Sequence, residues 1–296
     1  MESFVKDVSI FGVISVAEVH YSTSLTTGAE LQPFISQPQL TRKTTVDFQT
    51  KVKGRVSITG CDILPNGKLV FADQEGKLLM MFSNNGNYEK DIIRFSYKPY
   101  EVSCTGENIV AVTICNKGEV VFVNVITNTI TNTVYIGHAC YGIDFTMNRL
   151  AIQAVPVFTS SRIVYLDPKG QLIEGFNISA GFSRNMSLRD GTIKLTGYDT
   201  IYCYSLTGQT IWDFRDRSVL RKAKGIALDK NSNVFVAGME TNNVVVLSSD
   251  GKNCRQILSK SDGLHEPYSL RINIDRGELL VCNTNGQAFL FFLQYI

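Results

Sequence analysis

Three oxygen-bearing side chains, Glu101, Asp144 and Asn185, each stand near the start of a separate strand-like run in this 296-residue chain. A hard divalent cation takes about six to eight oxygens, so three protein ligands would be barely enough. Asp62, Asp229 and Asp275 recur at or near the ends of such runs, where a carboxylate accepting bonds from turn amides is the favoured reading. Nucleophilic chemistry has thinner material. The three His are His20, His138 and His265, and the sole local Cys/His pair is His138-Ala139-Cys140. Catalytic pairs are defined in space, so that adjacency means little, and a loop His beside a packed thiol is the better account. No Gly-x-Ser-x-Gly elbow, phosphate-cradling glycine loop or dinucleotide fingerprint occurs. The residues therefore assign no catalytic group, and no cofactor or metal is expected.

The elements that must position these side chains are strands. Apolar residues make up 44% of the chain and charged ones 19%, with a net charge of +2, which excludes both the disordered class and a polyanion-coating protein. Few Ala stand against many Val, Ile and Thr, 17 Phe and 12 Tyr, a bias toward pleated strands. The seven Cys form no C-x-x-C pair, so neither a zinc knuckle nor a disulfide framework is indicated, and several sit in apolar runs as small hydrophobes. Glu2 and Asp7 precede the apolar run Val8 to Ala17 where a signal peptide would carry positive charge. No secretion signal or bilayer-spanning run of eighteen apolar residues is read, and a cytoplasmic location is expected.

Self-comparison shows a repeat. One copy runs Gly60-Cys61-Asp62-Ile63-Leu64-Pro65-Asn66-Gly67-Lys68-Leu69-Val70-Phe71-Ala72-Asp73, followed by Leu78 to Gly86; another runs Gly225-Ile226-Ala227-Leu228-Asp229 with Asn233-Val234-Phe235-Val236-Ala237-Gly238, followed by Asn243 to Gly251. Weaker copies begin near Tyr100, Tyr141, Asn185 and Tyr268. Anchoring on the first turn gives Gly67, Glu107, Asn148, Gly191, Ser232 and Gly277, at spacings of 40, 41, 43, 41 and 45. Each unit holds three or four short strands that cannot hide both faces alone, so the units must stack radially. An all-β, six-bladed β-propeller follows. The sixth unit stops short of a fourth strand, which would leave an open edge. The alternating segment Thr45 to Val52 is the donor expected to pair with Gln287 to Leu293 and close the ring. Residues 1–44 read as a lead-in segment, with Val8 to Tyr21 as a strand or linker, and residues 45–296 as the propeller.

At the Gly60–Asp73 string and at Lys224-Gly225-Ile226-Ala227-Leu228-Asp229 with Asn233-Val234-Phe235-Val236-Ala237, the sequence resembles the NHL-repeat propellers that end tripartite-motif (TRIM) proteins. The resemblance spans roughly residues 45–296, with units two to four degenerate. It implies the target-recognition half of a ubiquitin-ligase-like protein, without enzymatic activity of its own, because the RING, B-box and coiled coil that carry the family's ligase function have no counterpart in this sequence. Six-bladed propellers of the lactonase type, by contrast, hold a divalent cation in the central channel with Glu, Asn and Asp from inner strands; here that role could fall only to Glu101, Asp144 and Asn185, and it is the least favoured reading.

In a propeller, the loops between blades and those between second and third strands share one face, and the remaining turns lie on the other. The first set carries Tyr100, Tyr141, Arg184, Arg217, Arg221, Lys222, Lys224 and Tyr268. Aromatic rings interleaved with Arg and Lys suit a protein hot spot and also stacking on unpaired bases. The densest basic run, Asp213 to Lys224, is by itself most simply a solvated loop, and the near-neutral chain argues against strong phosphate binding. The expected partners are protein targets, with an RNA stem-loop as the alternative; neither DNA nor membrane is expected, and without heptads the chain is expected to be a monomer.

Overall fold

The computed structural model describes residues 38–48, 55–156, 161–179 and 185–295. The segment Val8 to Tyr21 lies outside them. Six four-stranded antiparallel sheets are arranged as successive blades. Blade 1 comprises β2 to β5 (Ile58–Ile63, Leu69–Asp73, Leu78–Phe82, Tyr88–Arg94) and blade 2 β6 to β9 (Val102–Cys104, Ile109–Ile114, Glu119–Asn124, Thr129–Tyr135). Blade 3 comprises β10 to β13 (Ala139–Thr146, Arg149–Val155, Arg162–Leu166, Leu172–Asn177) and blade 4 β14 to β17 (Met186–Arg189, Thr192–Thr196, Ile201–Ser205, Thr210–Phe214). Blade 5 comprises β18 to β21 (Ala223–Leu228, Val234–Gly238, Asn243–Leu247, Cys254–Leu258); blade 6 has β22 to β24 (Pro267–Asn273, Glu278–Asn283, Gln287–Tyr295) from the end of the chain.

The fourth strand of blade 6 is β1 (Pro38–Asp47), antiparallel to β24 with Pro38 opposite Tyr295 and Asp47 opposite Gln287. The closure expected from Thr45 to Val52 is thus made instead by Pro38–Asp47, which shares only Thr45, Val46 and Asp47 with that segment; residues 49–52 lie outside the described residues. The first half of β1 is polar, Gln39-Leu40-Thr41-Arg42-Lys43-Thr44, as suits an outer strand whose arginine lies over Phe289, 4.5 Å from the ring centroid, and whose lysine reaches Glu278 at 2.6 Å. Immediately after β1, Phe48 packs edge-on against Phe71 and Phe82 of blade 1 at 4.8 and 5.1 Å.

The core is divided as a ring requires. Six apolar clusters are present among the described residues, one at each seam between neighbouring blades. Val70, Ala72 and Met81 of blade 1 meet Val110, Val112 and Val121 of blade 2, and the cluster between blades 6 and 1 also takes in Val46 and Phe48. Inner strands are buried on both faces, whereas an outer strand such as β9 is almost wholly exposed, so the hydrophobic effect acts blade against blade.

Around the axis two side chains per inner strand, two residues apart, form two layers. The upper layer is Gly60, Glu101, Gly142, Asn185, Gly225 and Ser269; the lower is Asp62, Ser103, Asp144, Ser187, Ala227 and Arg271. Glycine in blades 1, 3 and 5 is a steric necessity: a Cβ at Gly60 would lie 2.7 Å from the Glu101 Cα, one at Gly142 2.8 Å from the Met186 nitrogen, and one at Gly225 2.4 Å from the Leu270 nitrogen.

Candidate docking face and axial channel

Just above the upper layer, one register position supplies Thr59, Tyr100, Tyr141, Lys224 and Tyr268. The strand pairings are interrupted there between Ile58 and Gly60, Cys140 and Ile143, Ala223 and Ile226, and Pro267 and Ser269. In blade 2 both Tyr100 and Glu101 bond to Thr113, which accepts from the Tyr100 amide and donates to the Glu101 carbonyl. A bulge kinks the strand and re-aims its side chains, which brings these residues to the mouth of the channel. The Tyr100 and Tyr268 hydroxyls lie 3.2 Å apart although blade 1 stands between their blades. Tyr141 meets Tyr100 edge-on at 5.3 Å, and the Lys224 ammonium sits 4.9 Å from the Tyr268 ring centroid. Four of the eight sequence-predicted residues therefore converge. Tyr100 is 2% exposed and lies beneath the surface as a support; Tyr141, Lys224 and Tyr268 are half-buried. Arg184 lies outside the described residues.

The basic run takes a separate position on the same face. Arg217 grips Asp199 of blade 4 at 2.6 Å, and the Lys222 backbone amide donates to the same carboxylate. Burial works to raise the Asp199 carboxyl, but the Lys222 amide and Arg217 outweigh it and hold the group below the usual carboxylate range. The Lys222 ammonium lies 3.8 Å from Glu240, and Arg221 is exposed, its carbonyl accepting from the Glu240 amide. An open groove of about 280 Å³ runs beside this loop, lined by Tyr198, Asp199, Tyr202, Arg215 and Arg217. Carboxylates thus divide the run into short ion pairs. It is less of a bare cationic stripe than its sequence suggests.

Inside the channel, the Arg271 guanidinium donates to Asp144 at 2.6 Å and to the carbonyls of Val102 and Ile143, and stands 3.7 Å from Asp62. Asp144 also accepts from Ser187 and the Leu188 amide, and Asp62 from the Ile63 and Cys104 amides. Burial raises the Asp62 carboxyl against the pull of Arg271. One layer up, Asn185 donates to Glu101 at 3.0 Å; burial pushes Glu101 up to about 8, with Arg271 opposing, so it is protonated at neutral pH. Below Arg271 a cavity of about 410 Å³ opens on the turn face, with Ile63, Phe145, Leu188 and Ile272 in its walls and Arg189, Asp275 and Arg276 among its lining.

This arrangement does not fit a divalent cation on Glu101, Asp144 and Asn185. The Arg271 guanidinium already occupies Asp144, the Asn185 amide nitrogen is turned to Glu101, and among the described residues no cluster of three or more acidic, His or Cys side chains has metal-binding geometry. Asp229 accepts from the Asn231 and Asn233 amides of its turn, as its position predicted, while Asp275 is exposed. The Cys140 thiol donates to the His138 carbonyl, and burial raises it to about 12, which removes the thiolate a nucleophile needs. Arg271 is the residue that sequence reasoning missed. Its signal was the register shared by Gly60-x-Asp62, Gly142-x-Asp144, Gly225-x-Ala227 and Ser269-x-Arg271.

Comparison with known proteins supports the fold and stops there. No family model matches the chain, and none of the curated proteins does. Among solved structures, the chain is similar to a structural genomics protein of unknown function from Bacteroides thetaiotaomicron, with 8% identity, TM-score 0.67, and 87% of this chain and 76% of that one covered. Virginiamycin B lyase from Staphylococcus aureus aligns at 10% identity and TM-score 0.61, over 87% of this chain and all of that one. The β-propeller domain of Cps50 (Swd1) from Myceliophteria thermophila aligns at 13% identity and TM-score 0.59, over 80% and 84%. The chain is a six-bladed β-propeller.

Proposed function

We propose that this propeller is a non-catalytic docking module that captures protein targets on its inter-blade loop face, as the recognition arm of a TRIM/NHL-like ubiquitin-ligase system. The observation that supports the reading is the platform of Tyr141, Tyr268 and Lys224 held on buried Tyr100. Its rings and ammonium are fixed before a partner arrives, which lowers the ordering cost of binding and matches the composition of protein hot spots. Carboxylate pairing of Arg217 and Lys222 favours a protein over an RNA partner, because it reduces the charge available to phosphates.

The test is affinity capture from nuclease-treated lysate, with Lys224→Glu combined with Tyr268→Ala as the control. The expected result is a discrete set of proteins, among them a RING-bearing chain, retained at moderate salt by the wild type and lost by the double variant while its circular dichroism is unchanged. Capture abolished by nuclease would transfer the face to RNA; capture indifferent to the double variant would remove these residues from the account.

A further inference from the structure

The axial cavity of about 410 Å³ opens on the turn face, opposite the tyrosine platform, and at its inner end two carboxylates share one guanidinium. Arg271 commits its hydrogen bonds to one side. Nη1 donates to Asp144 at 2.6 Å and Nη2 to the carbonyls of Val102 and Ile143, whereas Nε stops 3.7 Å from Asp62 without a hydrogen bond. Asp62 is left with the backbone amides of Ile63 and Cys104, which orient it but do not cancel a full charge. Buried carboxylates are ordinarily each matched by a cation, so the inner end lacks one. The upward shift of the Asp62 carboxyl, in which burial outweighs Arg271, agrees with that deficit.

The unmatched charge is presented to the cavity. The Asp62 side chain keeps 10% of its area open and that of Asp144 12%, and both line this space. Toward the mouth the walls turn apolar, with Phe145, Leu188, Leu228, Ile272 and Ile274 among them. The mouth supplies no surplus cation. Arg189 stands 3.6 Å from Asp190, and Arg276 holds Glu278 at 2.8 Å with Lys43 on the same carboxylate. Asp275, also in the lining, is exposed and has no ion pair or hydrogen bond among the described residues. Acids and bases at the mouth therefore balance, and the one residual charge sits at the inner end.

We infer that this cavity binds a small organic cation, a primary ammonium on an apolar body, with the ammonium seated against Asp62 and the body along the apolar walls. Each carboxylate oxygen has two lone pairs, so an Asp62 oxygen that has accepted one amide can still accept from an ammonium. A neutral ligand would leave the charge unmatched, and an anion would meet two aspartates. The volume lies within the range of about 300–1,000 Å³ typical of small-molecule sites. The site goes beyond the docking proposal and is independent of it, since that proposal concerns the opposite face.

Ligand-observed NMR and calorimetry on the full chain provide the test, with three probes of one skeleton: 4-phenylbutylamine, 4-phenylbutan-1-ol and 4-phenylbutyrate. The amine is expected to bind at least tenfold more tightly than the alcohol, and the acid most weakly. Asp62→Asn keeps the side chain's shape and removes its charge; it should weaken the amine at least tenfold and leave the alcohol unchanged. Asp275→Lys, at an exposed position where folding is not at stake, should weaken the amine severalfold by repulsion at the mouth and spare the alcohol, which keeps the test decisive if the buried variant does not fold. Equal affinity for amine and alcohol, tighter binding of the acid, no binding of the amine at millimolar concentration, or amine binding unchanged by the variants would overturn the assignment.

Discussion

At the scale of single residues, the channel places one guanidinium against two buried carboxylates and keeps a third acid uncharged. Glu101 has a folded-state value of about 8 against an ordinary 4.5. Below pH 4.5 both folded and unfolded chains hold the proton, and the stabilisation of the neutral form is fully present. Between 4.5 and about 8 the unfolded chain releases it and the folded one does not, so stability falls as pH rises, by on the order of a few kcal/mol in all. Glu101→Gln keeps the shape and removes the titration. Urea denaturation at pH 5, 7 and 9 should show the wild type losing stability across this window more steeply than the variant; parallel curves would contradict the assignment. Little of this was legible in the sequence. Arg271 sits in Tyr268-Ser269-Leu270-Arg271-Ile272, where a lone arginine in an alternating strand reads as solvent-facing. Only the meeting of six strand starts at one axis turns that outward side inward.

The inner strand is the next scale, and its glycines in blades 1, 3 and 5 decide how closely neighbours approach. Gly225 faces the Leu270 nitrogen and the Ser269 carbonyl carbon, both backbone atoms that cannot swing aside. Gly225→Ala is therefore expected to cost about 1–3 kcal/mol by overpacking, whereas Gly106→Ala, with nothing within 4 Å of the added carbon, should stay within about 0.5 kcal/mol. Equal urea midpoints for the two would refute the steric argument. Strands of this kind were well exposed to sequence reading: alternating apolar residues bounded by Asn66-Gly67 or Asp250-Gly251 specify strand, turn and strand locally. The bulges beside Thr59, Tyr141, Lys224 and Tyr268 carry no comparable local mark. The burial of Tyr100 depends on Tyr268, 168 residues away.

For the whole molecule, the spacing of first turns gave six units and the short sixth unit required a donor strand, because both follow from counting. The closing strand lies mostly ahead of the alternating segment and shares only Thr45, Val46 and Asp47 with it, since an outer strand needs little apolar character to pair. Deleting residues 1–48 would bare the edge of β24 and remove Val46 and Phe48 from the seam between blades 6 and 1. The truncated chain should melt at lower temperature and less cooperatively, and should self-associate through the exposed edge, as calorimetry and light scattering would detect. A melt as sharp and as high as that of the intact chain would show that closure contributes nothing. The register of that closure has a mechanical corollary. Pro38 and Tyr295 stand side by side at one end of an antiparallel ladder, so tension applied to the two tails would peel β1 away one rung at a time, with no need to slide all the rungs at once. A seam that joins the ring against heat would yield to a pull like a zipper opened from its tab.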